Sequence, residues 1–360
     1  MHGEDLLASL REQVAEARAR GGALRIVGSD SKAFYGNPVD AQPLDVSGHT
    51  GIINYEPTEL VLTARAGTPL AEIEAVLAEQ GQMLPFEPPH FAGGGTIGGA
   101  VAAGLSGPRR PYAGSARDMV LGLQLLNGRA EVMQFGGEVM KNVAGYDVSR
   151  LNTGALGTLG VILQISLKVL PTAETHATRA IERSAGDCHA CSESWLRAGR
   201  PISALMHDGE RLFVRLSGTH SAVADAEQAI GGERLSEDEA SALWAGLRDH
   251  THPFFPTDGT PLWRLSLPPG VDPARFPTPQ LVDWAGQQIW VRGTTDAASL
   301  RAAASEAGGA ATLFRGDLPG VEAFHPLDSV KAQLHQGLKH AFDPDGIFNP
   351  GRLYPALEES

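Results

Sequence analysis

An α+β fold in two or three domains is what this chain predicts, on three observations. Its 360 residues exceed what one ordinary core organises. Strand-like and helix-like segments are interspersed, and composition shifts after about residue 172, just past Pro171. The densest glycine cluster, FAGGGTIGGAVAAGLSG at 91–107, follows Pro85, Pro88 and Pro89, so no central strand of a doubly wound sheet ends there. The expected divisions are 1–171, a smaller α+β domain over 172–325, and a C-terminal helix and tail over 326–360.

The elements follow in order. Leu6, Leu7, Leu10 and Val14 recur at helical spacing and Gly21-Gly22 stops them, which predicts an amphipathic helix. Leu24–Val27 reads as a short strand entering the polar turn Gly28-Ser29-Asp30-Ser31-Lys32. Leu60–Ala66 reads as a second strand. Thr68-Pro69, as N-cap and first helical residue, opens a helix with Leu70, Ile73, Val76 and Leu77 on one face, ending at Gly81. Met119–Leu126 and Ala130–Phe135 predict a hairpin turning at Asn127-Gly128, and Val161–Val169 alternates as a strand. Beyond 172, Leu212–Leu216, Trp263–Leu267, Gln288–Val291 and Thr312–Phe314 read as strands. Ser221–Ile230, Ser236–Arg248 and Asp296–Ala307 read as helices. Trp244, Trp263, Trp284 and Trp290 lie in this part and are expected in its core. The last helix, from about Asp328 to Phe342, is expected to turn Val330, Leu334 and Leu338 inward before the extended DPDGIFNPGRL.

Composition excludes several classes. A net charge of −13 argues against a nucleic-acid surface. Two cysteines cannot build a disulfide framework and fit a reducing, cytoplasmic compartment. Glu4, Asp5 and Glu12 interrupt any signal-peptide core, and no apolar run of about 18 residues is long enough to span a membrane.

Three blocks carry the chemistry. In the Gly28–Lys32 turn, successive backbone N–H groups could form an anion nest, although taken alone an ordinary loop is the better reading. In the second block, Gly93, Gly95 and Gly98 spell the G-x-G-x-x-G of a dinucleotide fold, and Asp118 stands where its acid would; the preceding prolines remove that reading. What remains is Thr96-Ile97-Gly98-Gly99, the start of a small-residue helix that a phosphate or flat ligand could approach, or that merely packs closely. In the third block, KNVAGYDVSRLNTGALGTLG at 141–160, Gly154, Gly157 and Gly160 predict a tight, irregular backbone.

Taken in this order, TIGGAVAAGLSG, KNVAGYDVSRL and GALGTLGVI resemble the FAD-binding domain of the vanillyl-alcohol oxidase and p-cresol methylhydroxylase (PCMH) family, over roughly residues 20 to 171. The tail DPDGIFNPGRL resembles the terminus of its 2-hydroxy-acid oxidoreductases, and LPFEPPH with KNVAGYD resembles the FAD-binding subunits of glycolate oxidase complexes. The resemblance implies a PCMH-type FAD-binding domain of two subdomains with a smaller α+β cap domain and a C-terminal segment that returns to the first. It implies non-covalent FAD, with the pyrophosphate on backbone N–H groups of Gly28, Ser29, Asp30, Ser31 and Lys32 and of Thr96, Ile97, Gly98 and Gly99. Gly104, Ser106 and Gly107 would pass beside the flavin, Gly160 and Val161 would contact the adenosine end, and Asn349 would bring the tail back. The turn has no His for covalent attachment; His90 is a weak candidate. Implied partners are a larger FAD-containing catalytic subunit and an iron–sulfur subunit, with glycolate as substrate of the complex and contact with the inner membrane only through those partners.

Departures limit the resemblance. The H-G-D-G-N-x-H and E-H-G stretches of related dehydrogenases are missing; His207-Asp208-Gly209 and Arg315-Gly316-Asp317 are superficial echoes. No catalytic or metal-binding residue is therefore assigned, and a non-catalytic assembly subunit or a stand-alone FAD oxidoreductase with another substrate stays open. Cys188-x-x-Cys191 lacks the second pair of a zinc site and is expected to be structural. His250 and His252 are expected at a surface, and Arg109-Arg110 as an exposed pair.

Overall fold

The computed structural model describes residues 3–91, 94–137, 147–293 and 296–355. Gly93 and the opening of the third block, Lys141 to Tyr146, lie outside the described residues. The chain divides into two compact units: Met1–Leu105, Ser115–Pro171 and Pro326–Ser360 form the first, and Ser106–Gly114 with Thr172–His325 the second. The excursion at 106–114 was not visible in the sequence, which offers no composition change there.

In the first unit, α1 (Gly3–Arg20) buries Leu10, Val14 and Ala17 and stops at Gly21, whose φ of 63° is the left-handed conformation glycine tolerates. Then come β1 (Leu24–Val27), β2 (Gln42–Asp45), β3 (Ile52–Glu56), β4 (Val61–Arg65), α2 (Leu70–Glu79), β5 (Gln82–Met83) and α3 (Ile97–Ala103). Past α4 (Arg110–Ala113), which belongs to the second unit, follow α5 (Ala116–Met119), β6 (Val120–Leu126), β7 (Val132–Gly136), α6 (Val148–Leu151), β8 (Val161–Lys168) and β9 (Leu170–Pro171). β1 and β2 pair in parallel. A five-stranded antiparallel sheet runs β3-β4-β8-β6-β7, with β8 central and buried on both faces. Leu70, Ile73 and Leu77 of α2 and Ile97, Ala100 and Val101 of α3 complete its core.

The second unit contains β10 (Thr175–Ile181), α7 (Cys188–Arg197), β11 (Ile202–His207), β12 (Leu212–Gly218), α8 (His220–Ile230), β13 (Glu233–Arg234) and α9 (Glu237–Asp249). It continues through β14 (Leu262–Ser266), β15 (Gln280–Asp283), β16 (Gln288–Arg292), α10 (Ala297–Glu306) and β17 (Ala310–Arg315). Its eight strands form one antiparallel sheet, ordered β13-β10-β12-β11-β15-β16-β14-β17. All four expected tryptophans are buried in it. α11 (Ser329–Phe342) brings the chain back into the first unit.

Four expectations are corrected. Thr68 does not cap α2: its hydroxyl donates to the Arg65 carbonyl at 2.7 Å and accepts from the Gly51 amide at 2.9 Å, so a long-range contact wins over the local cap. The β6–β7 connection spans residues 127–131, because the Asn127 side-chain oxygen accepts from the Arg129 and Glu131 amides and holds a wider loop. Val330 and Leu334 point outward, 65% and 63% exposed. His250 is buried, stacked on Phe255 at 3.9 Å and edge-on to Trp290.

Desolvation, with Arg315 and Arg264 nearby, holds the His250 pKa well below 6.5. The native state therefore refuses a proton that the unfolded chain takes up below 6.5. Stability contributed by this residue is complete above that pH and is lost as pH falls beneath it, by about 1.4 kcal/mol per pH unit. Urea unfolding at pH 7 and pH 5 should show stability falling toward the acid side, with His49, His252 and His335 shifted the same way, and H250N should make that fall shallower.

Candidate functional site

The site is built where β1 ends. A cavity of about 120 Å³ is lined by the Gly28–Ala33 turn, the start of α3, Leu156-Gly157, Gly160 and the tail residues Asn349 and Arg352. Asp30, at φ 56°, turns the chain, and Ala33 donates back to its carbonyl at 3.0 Å. The Ser29 hydroxyl reaches Ser31 and the Gly94 carbonyl, each at 3.2 Å. Among the described residues no group accepts from the amides of Gly28, Ser29, Asp30 or Ser31.

α3 contributes differently from expectation. The Ile97 amide donates to Thr68 at 3.0 Å, the Gly98 amide to Ala66 at 2.8 Å, and the Gly99 amide to the Thr96 hydroxyl at 3.2 Å. These three donors are committed to the protein, so the helix start offers an anion little beyond Thr96 itself. Its contribution is smallness: Gly98, Gly99, Ala102 and Ala103 form a wall without bulk. Residues 154–157 lock onto it, with the Gly154 amide donating to Val101 and the Leu156 amide to Ala102.

The tail closes the other side. The Leu24 amide donates to Ile347 at 2.8 Å and the Asn349 amide to Leu24 at 2.9 Å, so the tail runs along the free edge of β1. The Asn349 side chain extends this ladder, accepting from the Ile26 amide at 2.8 Å and donating to Leu156 at 2.6 Å. A side chain on Gly157, at φ 72°, would meet Asn349 Nδ2 at 2.7 Å. Behind the tail, Asp343 is wholly buried and accepts from Lys339 at 2.8 Å, Ile347 at 3.0 Å and Phe348 at 2.7 Å.

Charge defines the ligand class. Arg25, Lys32 and Arg352 line the cavity against a single carboxylate, Asp30, which Arg25 pairs at 3.1 Å. The surplus is two positive charges in a chain of net charge −13, a setting for an anion such as a diphosphate.

Of the residues expected at the site, Gly28, Ser29, Asp30, Ser31, Lys32, Thr96, Gly98, Gly99, Gly160 and Asn349 line this cavity. Ile97 and Val161 are wholly buried in the core. Gly104 is the left-handed C-cap of α3, pressed against Gly154. Ser106 and Gly107 belong to the second unit, where the Gly107 carbonyl accepts from the Trp284 indole at 3.0 Å. Asp118, the apparent dinucleotide acid, caps Ser115 instead. His90 meets Glu74 at 3.0 Å, away from the cavity. Arg25, Gly157 and Arg352 were missed; an arginine inside a strand, and one in a tail far along the chain, carry no local signal.

The remaining candidates are structural. Burial pushes the Cys188 thiol up to about 12 and raises that of Cys191, so neither is an activated thiolate. His207 accepts from the Gly209 amide on Nδ1 and donates from Nε2 to the Arg183 carbonyl. Among the described residues no cluster of three or more His, Cys, Asp or Glu could hold a metal.

A unit of three sheets carries a cation-lined cleft between a glycine turn and a small-residue helix, and the FAD binding domain family matches residues 7–136, which makes this a flavoprotein domain. The solved structure of p-cresol methylhydroxylase with bound substrate shares the fold, with a TM-score of 0.69 at 16% identity over 96% of this chain and 87% of that one. The glycolate oxidase subunit GlcE of Escherichia coli (strain K12) is 46% identical over 355 residues, 98% of this chain and 99% of that protein. The chain belongs to the family of that subunit and is an FAD-binding oxidoreductase of the PCMH type. The glycolate oxidase subunit GlcD of Bacillus subtilis (strain 168) matches more locally, 31% identical over 35% of this chain and 27% of its own length.

Lys32 tests the charge argument. Its ammonium lies beside Gly95, near the mouth of the turn, and 5.5 Å from the Phe91 ring. Lys32→Gln removes one charge-assisted contact, so FAD should bind about tenfold or more weakly with little change in thermal stability. A fluorescence titration of flavin against the apo chain reads this directly.

Proposed function

We propose that this chain is the FAD-binding subunit of a glycolate oxidase complex. In that complex glycolate gives up two electrons and two protons to become glyoxylate, and the electrons pass to an iron–sulfur partner. The observation that carries the reading is the end-to-end likeness to a protein named as a glycolate oxidase subunit. FAD, when bound, supplies the two-electron chemistry. The residues present fit it: the cations of Arg25, Lys32 and Arg352 suit its diphosphate, and the small wall of α3 leaves room beside them. Gly28, Ser29, Asp30, Ser31, Lys32, Thr96, Gly98, Gly99, Gly160 and Asn349 are the contacts we assign, with Ile97, Gly104 and Val161 acting as their backbone support. The divisions 1–171, 172–325 and 326–360 complete the reading as flavin domain, cap and returning tail; the two compact units support it, with Ser106–Gly114 placed in the cap.

A larger flavin-bearing subunit and an iron–sulfur subunit would be the partners, and any membrane contact would run through them. Among the described residues no helix is long and apolar enough to cross a membrane. A second reading, an assembly or relay subunit, is favoured by one observation. The histidine that echoes the missing ligand motif, His207, spends both ring nitrogens on backbone groups.

Anaerobic glycolate added to the flavin-loaded chain, alone and with its partner subunits, separates the two. Bleaching of the isolated chain supports direct oxidation, whereas bleaching only with partners present supports the relay. No bleaching in the complete complex would sink both.

A further inference from the structure

The tail does more than cover β1. Arg352 reaches back across 320 residues of sequence to the segment that follows the phosphate turn. Its Nη2 donates to the carbonyls of Ala33 at 2.9 Å and Lys32 at 3.4 Å, and its Nη1 to Asn37 at 3.1 Å. The grip is mutual. The Asn37 amide donates to the Arg352 carbonyl at 3.0 Å, and the Asn37 side chain donates to Gly351 at 3.0 Å and Leu353 at 3.2 Å. Gly36, at φ 93°, leaves no room for a side chain, since a Cβ would lie 3.0 Å from the Arg352 carbonyl.

Two features separate this from ordinary packing. Arg352 lines the cavity, and among the described residues it forms no ion pair with a carboxylate. Asp30, the single acid of the lining, pairs with Arg25 at 3.1 Å and acts on Arg352 only through space, offsetting part of its charge. A guanidinium keeps its charge at any physiological pH, so a half-buried one bonded to neutral carbonyls leaves a positive charge for an anion to complete.

We infer that Arg352 is the positioning residue of the phosphate-binding turn: its fork fixes the carbonyls of Lys32, Ala33 and Asn37 in one arrangement and sets a positive charge beside the diphosphate. The inference rests on the FAD reading above. It follows that the tail, far from the turn in sequence, controls cofactor affinity. Lysine at 352 would restore the charge but not the fork, because one ammonium cannot reproduce a planar set of donors.

The test is calorimetric titration of the full apo chain with FAD and with ADP, which shares the diphosphate, at several salt concentrations. R352Q should bind both ligands about tenfold or more weakly and show a shallower salt dependence. R352K should regain the salt dependence but not the affinity. Wild-type affinity in R352K, or in R352Q, would overturn the inference. So would loss of the thermal transition in both variants before ligand is added, since Arg352 would then be a residue of general stability. A wild-type chain that binds ADP and FAD with neither variant affected contradicts this inference alone; one that binds neither ligand contradicts the cofactor reading as well.

Discussion

Gly98→Val should unfold the junction between α3 and the central sheet and, with it, abolish FAD retention. A Cβ at this position would lie 2.6 Å from the Ala66 Cβ and 2.8 Å from its carbonyl oxygen, distances real side chains do not adopt. The backbone cannot yield cheaply, because the Gly98 amide donates to that same carbonyl at 2.8 Å. Overpacking of a rigid contact costs about 1–3 kcal/mol and the lost hydrogen bond about 1 more. Against a native stability of roughly 5–15 kcal/mol, a drop of about 10 °C in the thermal midpoint is expected. The cofactor would be lost through displacement of α3 from β4, not through a side chain obstructing the cavity. A thermal melt of the apo variant distinguishes the two: an unchanged midpoint with lost flavin would favour obstruction.

Asp343→Ala should be comparably damaging from the opposite side of the site. Asp343 is fully buried, and its carboxylate takes the Lys339 ammonium and the amides of Ile347 and Phe348. Lys339 also donates to Thr158 at 3.0 Å and Phe348 at 2.8 Å, which binds the tail to the segment before β8. Removing the carboxylate leaves a buried cation and two amides without their acceptor, a loss of about 3–5 kcal/mol. The tail would then release the edge of β1, Asn349 and Arg352 would leave the cavity, and FAD affinity would fall with stability. Limited proteolysis should cut the variant within residues 344–355 while wild type resists. Asp343→Asn keeps one acceptor and should be milder in both respects.

These predictions rest on contacts that the sequence discloses unevenly. Strands and helices with strong periodicity were legible: β1, β8, α1, α8, α9 and α10 fall close to where spacing and glycine stops place them, whereas α4 and α7 were not expected. The turn Gly28–Lys32 was legible as a polar turn after a strand, and the residues alone favoured an ordinary loop over a nest. What stayed hidden is non-local. Nothing near Gly98 announces that its amide and its missing side chain both answer to Ala66. The spacing of Val330 and Leu334 identifies one face of α11 but not whether anything covers it, and both are exposed. Arg25 and Arg352 join Lys32 only because the parallel pairing of β1 and the return of the tail bring them to one cavity. Asn349 carried a hint, since an Asn between Phe348 and Pro350 suits a turn, yet its hydrogen bonds to Ile26 and Leu156 required the fold.

The central claim is that the cavity beside β1 holds FAD by its diphosphate. Competition binding to the apo chain among FAD, ADP and riboflavin tests it most directly. FAD and ADP should displace one another, and riboflavin, which lacks the phosphates, should bind about a hundredfold or more weakly than FAD. Riboflavin binding as tightly as FAD, or ADP failing to displace FAD, would contradict the account.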